Sequence, residues 1–296
     1  MLLFRVIGED WYCYRIGWLI YLIIVDKYMN TSESCWALIT GASSGIGAAY
    51  ATHLASKGFN LLITGRRVAL LESQAVHLQQ KYGIECEIII GDLACEQTLY
   101  KIIRRVTALP SLNLLVCNAG FGNTQVFFQD TFESQQKMIR VHVDATTHLC
   151  HALSMKIKPP RKGMPGGIVL VSSLGAFFST PGFIIYPSTK AYLVALGKSL
   201  ALTLYHQKIP VQVLCPGFTR TDFHNKLGLS PDTMGNKGMI RWMSPDRVVQ
   251  FSLKKLRLGK VVIIPGSMNR FLRLTRKLIS NRLYLRIVKG KEMIFR

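Results

Sequence analysis

Seven short apolar runs, separated by stretches with helical periodicity, constrain the fold of this chain more than any other feature. The runs span residues 37–40, 61–64, 86–90, 114–118, 168–172, 211–215 and 261–264. The helical patterns fall around residues 45–57, 68–82, 95–108, 134–156 and 187–207. Such alternation is typical of βαβ units, in which helices cover both faces of a parallel sheet. The sequence therefore predicts one doubly wound α/β domain with a seven-stranded parallel sheet.

A glycine-rich turn follows the first apolar run, with Gly41, Gly45 and Gly47 in the spacing Gly-x-x-x-Gly-x-Gly. Without Cβ atoms, backbone N–H groups can approach a phosphate closely, and the dipole of the following helix adds its positive end. The spacing differs from the commoner Gly-x-Gly-x-x-Gly fingerprint, and taken alone it also suits a purely structural turn. At the carboxyl edge of a Rossmann-like sheet, however, the turn predicts a site for a dinucleotide diphosphate.

Polar residues also follow the next strands. Arg66 and Arg67 come after the second strand, where an acidic side chain would meet a ribose 2′-hydroxyl and a cation suits a 2′-phosphate. They favour NADP(H), although two exposed arginines at a helix start are the alternative. Asp92 follows the third strand, where it could accept from the adenine amino group. Asn118, Ala119 and Gly120 close the fourth strand with a small-residue turn.

Tyr186 and Lys190 form the predicted chemical centre. They are four residues apart at a helix start, where Pro187 is tolerated, so they share one helical face. A phenol with a pKa near 10 is a poor acid or base at neutral pH, and a nearby ammonium lowers that pKa. Ser172 and Ser173 end the fifth strand, where a hydroxyl can stabilise a developing alkoxide. The alternative is an ordinary surface pair of tyrosine and lysine.

Charge and cysteine content limit the other classes of function. The net charge of +21 requires that anionic partners be considered, but the chain shows no helix-turn-helix, zinc-finger or aromatic-basic RNA motif, so we expect no nucleic acid partner. The seven cysteines are scattered and lack a Cys-x-x-Cys pair. We therefore expect reduced thiols in a cytoplasmic protein, with neither disulfides nor a metal site.

The N-terminal residues 1–34 do not share the α/β pattern. Residues 16–25 form an uninterrupted apolar run that is shorter than the roughly 18 to 20 residues needed to span a bilayer. A secretory signal peptide is a poor match, because no small-residue cleavage site follows. Two interpretations remain: an interfacial anchor, or a true translation start at Met29.

With these residues assembled, the sequence resembles the short-chain dehydrogenase/reductase family from about residue 36 to residue 265. The motifs stand in the family's order: Thr40 to Gly47, Asn118-Ala119-Gly120, Ser173 ahead of Tyr186 and Lys190, and Pro216-Gly217 leading to Thr221. The resemblance implies that Tyr186 transfers the proton, that Lys190 binds the nicotinamide ribose and lowers the tyrosine pKa, and that Ser173 orients the carbonyl. The residues predicted to bind the cofactor are Gly41, Ser43, Ser44, Gly45, Ile46, Gly47, Arg66, Arg67, Asp92, Leu93, Asn118, Ala119, Gly120, Tyr186, Lys190, Pro216, Gly217, Thr219 and Thr221.

His142 departs from the family pattern, which usually has asparagine in the helix after the fourth strand. That asparagine belongs to a proton relay through water and the lysine, and much of its work is done by the backbone carbonyl, which His142 retains. The resemblance therefore implies a catalytic role at this position with altered pH dependence.

Residues 35–266 are thus predicted to form the catalytic domain, with an apolar lid at about residues 222–243 that suggests a lipophilic substrate such as a fatty acyl, steroid-like or retinoid-like carbonyl or alcohol. Residues 267–296 form a basic amphipathic tail suited to an anionic membrane face, or a solvated helix packed on the domain. The resemblance implies a homodimer or homotetramer. A catalytically silent NADP-binding sensor or scaffold, or a membrane-attached interaction protein, are the rival functions.

Overall fold

Parallel strands form one sheet at the centre of the fold. The computed structural model describes residues 34–122, 125–161, 163–179, 181–227 and 241–289. Its strands lie in the order β3-β2-β1-β4-β5-β6-β7, which confirms the predicted seven-stranded parallel sheet. The strands are β1 (Trp36–Thr40), β2 (Asn60–Gly65), β3 (Cys86–Ile90), β4 (Leu114–Cys117), β5 (Gly167–Val171), β6 (Val211–Leu214) and β7 (Val262–Ile263). The order reverses between β1 and β4, and ligands bind at the carboxyl ends of strands beside such a point.

The helices lie on both faces of the sheet. They are α1 (Gly45–Ala55), α2 (Val68–Tyr82), α3 (Glu96–Thr107), α4 (Phe132–Ile139), α5 (Ala145–Leu153), α6 (Ile185–Thr203), α7 (Asp222–Lys226), α8 (Pro245–Leu256), α9 (Ser267–Leu278) and α10 (Asn281–Lys289). Strand residues alternate between the two faces. In β1, Ala37 and Ile39 pack in the cluster that holds α1, α2 and α8, whereas Trp36 and Leu38 pack in the cluster that holds α3 and α5. The continuous apolar runs reflect this burial on both sides.

One predicted helix is interrupted. The periodicity of residues 134–156 predicts a single helix, but α4 and α5 are separated by a π-helical turn at Arg140–Asp144, and a 3₁₀ turn follows at Ser154–Lys156. A π-turn holds one more residue per turn than an α-helix and therefore rotates the side chains that follow it. His142 lies in this turn and is fully buried. Apolar spacing alone does not reveal such an insertion.

Several sequence predictions fall on residues that the structure leaves undescribed. These are the apolar run 16–25, the start at Met29, Cys13, residues 228–240 of the predicted lid and residues 290–296 of the basic tail. Within the described ranges, no helix is both long and apolar enough to cross a bilayer. The six cysteines in those ranges carry free thiols.

A buried polar chain joins three elements of the core. Tyr50 of α1 is completely buried, and its hydroxyl contacts Ser252 Oγ of α8. Ser252 Oγ in turn donates to Gln212 Oε1 of β6, and Gln212 Nε2 donates to the Ser252 carbonyl at 3.1 Å. Burial raises the pKa of the Tyr50 phenol, so it remains a neutral donor. The chain satisfies polar groups that would otherwise be costly inside the core.

We expect Tyr50→Phe to lower the free energy of unfolding by only about 1 kcal/mol, because the ring still fills its space and Ser252 keeps Gln212 as a partner. Tyr50→Ala should cost about 3 to 5 kcal/mol, since it leaves a cavity. Urea denaturation of the two variants measures both values. Equal destabilisation by the two changes would show that the hydroxyl, and not the ring, carries the stability.

Candidate active site

The glycine turn between β1 and α1 has the geometry of an anion site. Gly41 and Gly45 adopt positive φ angles of 66° and 58°, which residues with a Cβ rarely adopt. Ser44 precedes the helix without capping it by its side chain, so the helix N-terminus is not closed by that hydroxyl. A Cβ on Gly47 would lie 2.2 Å from the Gly41 carbonyl oxygen, so only glycine fits there. The turn can thus present backbone N–H groups to a diphosphate.

Thr40 and Asn118 hold this turn against the end of β4. The Thr40 hydroxyl accepts from the backbone N–H groups of Asn118 and Ala119, both at 3.0 Å. The Asn118 side-chain amide donates to the carbonyls of Thr40 and Gly41, also at 3.0 Å. Asn118 therefore braces the glycine turn. Thr40 is absent from the predicted cofactor ligands, and its position as a buried hydroxyl at a strand end is the signal that could have identified this support.

The two predicted arginines have different surroundings. Arg66 lies 3.7 Å from the Asp92 carboxylate, and its side chain is 56% exposed. Arg67 instead donates to Ser43 Oγ at 3.0 and 2.9 Å, contacts Ser44 Oγ and pairs with Asp222 of α7 at 2.8 Å. Arg67 thus links the glycine turn to the start of α7, while Arg66 extends toward solvent beside Asp92.

Asp92 lies among donors that keep it ionised. Burial alone would raise the pKa of its carboxyl, but hydrogen bonds from Lys137 and from the Ala94 N–H, together with the charges of Lys137 and Arg66, lower the pKa on balance. Lys137 Nζ lies 2.8 Å away, and the Ala94 N–H donates at 3.0 Å. Lys137 belongs to α4, and nothing in its local sequence marks it for this position. The neighbouring Leu93 is buried in the core.

Ser173, Tyr186 and Lys190 come together at the carboxyl end of β5. Ser173 caps the 3₁₀ turn at Leu174–Phe177 by accepting from the Gly175 N–H at 3.0 Å, and it shares a hydrogen bond with Tyr186. Lys190 Nζ lies 5.7 Å from the Tyr186 ring centroid and donates to the Val171 carbonyl at 3.1 Å. Ser172 points elsewhere and donates to the Lys190 carbonyl at 2.7 Å.

Burial sets the titration of this pair. It raises the pKa of Tyr186 to about 12, and the hydrogen bond from Ser173 only partly opposes that shift. Burial also lowers the pKa of Lys190 to about 8. Desolvation of the phenolate is the larger of these two causes, so the pKa of Tyr186 lies above its ordinary value. At neutral pH the phenol is protonated and the lysine is mostly charged.

His142 braces the catalytic helix from the π-turn. Its Nε2 accepts from the Phe121 N–H at 3.0 Å, so the proton lies on Nδ1, which is 2.9 Å from Thr189 Oγ1. The Thr189 hydroxyl then donates to the Tyr186 carbonyl at 2.8 Å. Burial, and next the charge of Lys190, hold the pKa of His142 well below its usual range. Both ring nitrogens therefore have protein partners, and the imidazole stays neutral.

Gly120 allows the lysine and the histidine to approach each other. A Cβ at this position would lie 2.9 Å from His142 Nε2 and 3.2 Å from Lys190 Nζ. The predicted small-residue turn at Asn118, Ala119 and Gly120 thus touches the glycine turn at one end and the catalytic groups at the other.

The loop after β6 closes the remaining side. The Leu174 N–H donates to the Pro216 carbonyl at 2.8 Å, which ties this loop to the turn after Ser173. The Thr219 hydroxyl donates to the Gly217 carbonyl at 3.0 Å, and Thr221 Oγ1 donates to the Thr219 carbonyl at 3.3 Å. Thr221 faces the glycine turn, because a Cβ on Gly45 would lie 2.8 Å from the Thr221 Cγ2 atom. Ile46 instead packs against the core.

Comparison with known proteins places the chain in a family. The family described as short chain dehydrogenase matches residues 35–231 of this chain. Very-long-chain 3-oxoacyl-CoA reductase of Scheffersomyces stipitis is 32% identical over 196 residues, which is 64% of this chain and 56% of that protein. Inactive hydroxysteroid dehydrogenase-like protein 1 of Homo sapiens is 30% identical over 188 residues, 63% of this chain and 56% of that protein. The matched stretch thus spans little more than half the length of either relative.

A solved structure agrees over a larger part of the chain. The short-chain dehydrogenase from Sphingobium yanoikuyae in complex with NADPH superposes with a TM-score of 0.72 and 30% identity. The alignment covers 82% of this chain and 93% of that one. The catalytic and glycine motifs described above lie within the segment that the family match covers.

The depressed pKa of Lys190 predicts a pH-dependent stability difference. The side chain releases its proton near pH 8 in the folded protein and near 10.5 in the unfolded chain, so the unfolded state binds more protons between these values and stability rises with pH. Relative to Lys190→Met, we expect the wild-type free energy of unfolding to increase by about 3 kcal/mol across that window. Urea denaturation at several pH values measures the difference, and parallel curves would contradict it.

Proposed function

This chain belongs to the short-chain dehydrogenase family, and we propose that it is an NADP(H)-dependent oxidoreductase that interconverts a carbonyl and an alcohol. The observation that carries the proposal is the cluster of Ser173, Tyr186 and Lys190. Its two hydroxyls share a hydrogen bond, and the ammonium lies 5.7 Å from the phenol ring centroid. The cluster adjoins the glycine turn, whose backbone geometry fits a dinucleotide diphosphate.

The residues of this chain divide the work of the reaction among them. The bound nicotinamide supplies the hydride for reduction or accepts it in oxidation. In reduction, the Ser173 hydroxyl donates to the substrate carbonyl oxygen, and the Tyr186 hydroxyl gives its proton to the same oxygen as negative charge develops there. Lys190 uses one N–H for the Val171 carbonyl and keeps two further donors for the phenolate and the ribose.

The protonation states suit this direction. With a pKa of about 12, Tyr186 is protonated at neutral pH and is ready to act as an acid. The neutral His142 imidazole is held by Phe121 and Thr189, so we assign its side chain to positioning and leave any relay at this site to its backbone carbonyl. This assignment refines the catalytic role that the resemblance implies for His142.

Tyr186→Phe tests the assignment of the proton donor. Because it removes only the hydroxyl, we expect turnover to fall by about 10²- to 10⁴-fold while NADPH affinity stays within a few-fold of the wild type. NADPH oxidation with a panel of ketones and aldehydes measures turnover, and fluorescence titration measures binding. Tyr192→Phe is the matched control, because this tyrosine lies on the same helix and its hydroxyl contacts Thr147.

A catalytically silent NADP-binding protein is the second candidate. The observation in its favour is the 30% identity to a relative whose name contains the word inactive. Against it, this chain retains all three catalytic side chains in contact. NADPH binding by a wild-type protein that turns over none of the carbonyls would support the silent function and contradict the enzyme.

Arg66 is our proposed determinant of NADP(H) preference. Arg66→Ala should weaken NADPH binding by about 10- to 100-fold and leave NADH binding nearly unchanged, since only NADPH carries the 2′-phosphate. Arg67→Ala should affect both cofactors, because Arg67 holds the turn through Ser43. Calorimetric titration of both nucleotides compares the variants. An equal loss for the two nucleotides in Arg66→Ala would contradict this assignment.

We propose a lipophilic substrate, of the acyl, steroid-like or retinoid-like classes. The Phe223 ring lies 5.6 Å from the Tyr186 ring, so an apolar group lies beside the proton donor, and the Phe121 ring lies 5.7 Å from the neighbouring His142 ring. A relative at 32% identity is named as a very-long-chain 3-oxoacyl-CoA reductase, which agrees with the acyl class. The carbonyl panel distinguishes these classes through the chain-length dependence of kcat/KM.

We further propose that the protein is cytoplasmic and contacts a membrane peripherally. We also propose that it forms a homodimer or homotetramer through α5 and α6. Exposed Tyr192 and Leu202 on α6, together with Met155 just after α5, give these helices apolar surface for a second copy. Light scattering of the purified protein measures the oligomeric state.

A further inference from the structure

The surface formed by α9 and α10 separates apolar from cationic side chains on its solvent side. Along α9, Phe271, Leu274 and Leu278 are 55%, 54% and 76% exposed and recur at spacings of three and four. Residues at these spacings share one helical face, so they form a continuous apolar stripe. Leu272 in α9 and Ile279 just after it are less exposed than these three residues. We call this surface, formed by residues 267–289, the α9–α10 face.

Cations border the stripe, and no acidic residue lies in the same segment of the chain. Residues 267–289 contain no aspartate or glutamate. The cations of this segment are Arg270, Arg273, Arg276, Lys277, Arg282, Arg286 and Lys289. A helix that only meets water is usually polar on its outer face, with charges of both signs. Exposed apolar groups beside a segment whose charged residues are all positive instead match a surface that is both apolar and anionic.

The α9–α10 face is attached to the catalytic machinery. The Arg273 guanidinium stacks 4.5 Å from the Phe177 ring, in the 3₁₀ turn that begins at Ser173. The Tyr284 hydroxyl of α10 donates to the Ser179 carbonyl at 2.7 Å, and the Arg276 guanidinium lies 4.1 Å from the Tyr284 ring. The two helices that carry the α9–α10 face therefore pack beside the turn that Ser173 caps.

The loop after β6 makes a second connection. Asn269 of α9 is buried and donates to the Pro265 carbonyl at 2.8 Å. A Cβ on Gly217 would lie 2.6 Å from the Asn269 side-chain amide, so α9 packs directly on the loop after β6.

We propose that the α9–α10 face docks on an anionic lipid bilayer and holds the substrate side of the catalytic cluster against it, so that a lipophilic carbonyl reaches Tyr186 from the membrane. The apolar stripe enters the interface, and the long cationic side chains lie among the headgroup phosphates. A second copy of the chain does not suit this face, since two such surfaces would place like charges opposite each other. The delivery of substrate rests on the proposed function, whereas the docking itself does not.

The test uses the full chain and vesicles of phosphatidylcholine, alone or with about a quarter phosphatidylserine. Wild type should co-sediment with the anionic vesicles, and Leu274→Ser combined with Leu278→Ser should reduce that binding by about tenfold or more. Arg282→Glu with Arg286→Glu should do the same. These side chains are exposed, so the fold should tolerate the changes.

Matched controls change the same chemistry elsewhere. Leu258→Ser removes an exposed leucine just after α8, and Lys254→Glu with Arg257→Glu reverses two exposed charges at the end of α8. Both should bind vesicles as the wild type does. Equal vesicle binding by the α9 variant and its control would overturn the proposal, as would binding that is independent of phosphatidylserine. Loss of binding in the arginine variant alone would also overturn it, because a nucleic acid or other polyanion needs no leucine stripe.

Activity separates docking from catalysis. With a long-chain ketone dissolved in the vesicles, the α9 double variant should lose turnover by about the same factor as it loses binding, while its turnover of a short water-soluble ketone stays at the wild-type level. Failure of the proposed function would look different: wild type would bind anionic vesicles but reduce neither ketone. Tyr186→Phe should bind vesicles normally. Unchanged turnover of the vesicle ketone by the α9 variant would overturn membrane delivery.

Discussion

The close approach of α1 to the end of β1 is the constraint on which the rest of the site depends. Gly47 lies so near the Gly41 carbonyl that no Cβ fits between them, and the Asn118 side chain donates to the Thr40 and Gly41 carbonyls at the start of the turn. This contact fixes where the helix N-terminus points, and it places β4 and its small-residue turn directly alongside. The glycine turn and the cluster of Ser173, Tyr186 and Lys190 can adjoin only because these backbones are so close.

Burial decides the chemistry of the catalytic cluster. Desolvation disfavours both charged forms, so it raises the pKa of Tyr186 and lowers that of Lys190, and the pKa values of the two groups move apart. The phenol therefore keeps its proton at neutral pH. The π-turn adds a neutral histidine in place of an amide and links it through Thr189 to the backbone of Tyr186. This neutral, hydrogen-bonded histidine orients the tyrosine without adding charge beside the lysine.

The predictable and unpredictable parts of the site differ in range. The strands, the glycine turn and the pair Tyr186 and Lys190 depend on local spacing, and the structure shows the expected strands and brings those residues together. Lys137 beside Asp92, Arg67 paired with Asp222, and Arg273 against Phe177 join segments far apart in the chain. Nothing in the local sequence of either partner encodes such pairs, because they arise from how the helices pack on the sheet.

The sequence by itself determined the α/β architecture, because burial on two faces requires continuous apolar strands. It also determined the glycine turn between β1 and α1, because only glycine tolerates the backbone conformation there. The tertiary structure decided the protonation state of the tyrosine and lysine, the break in the helix at His142 and the location of the basic tail helices beside Ser173. These depend on desolvation and on contacts between distant segments, which exist only once the chain has folded.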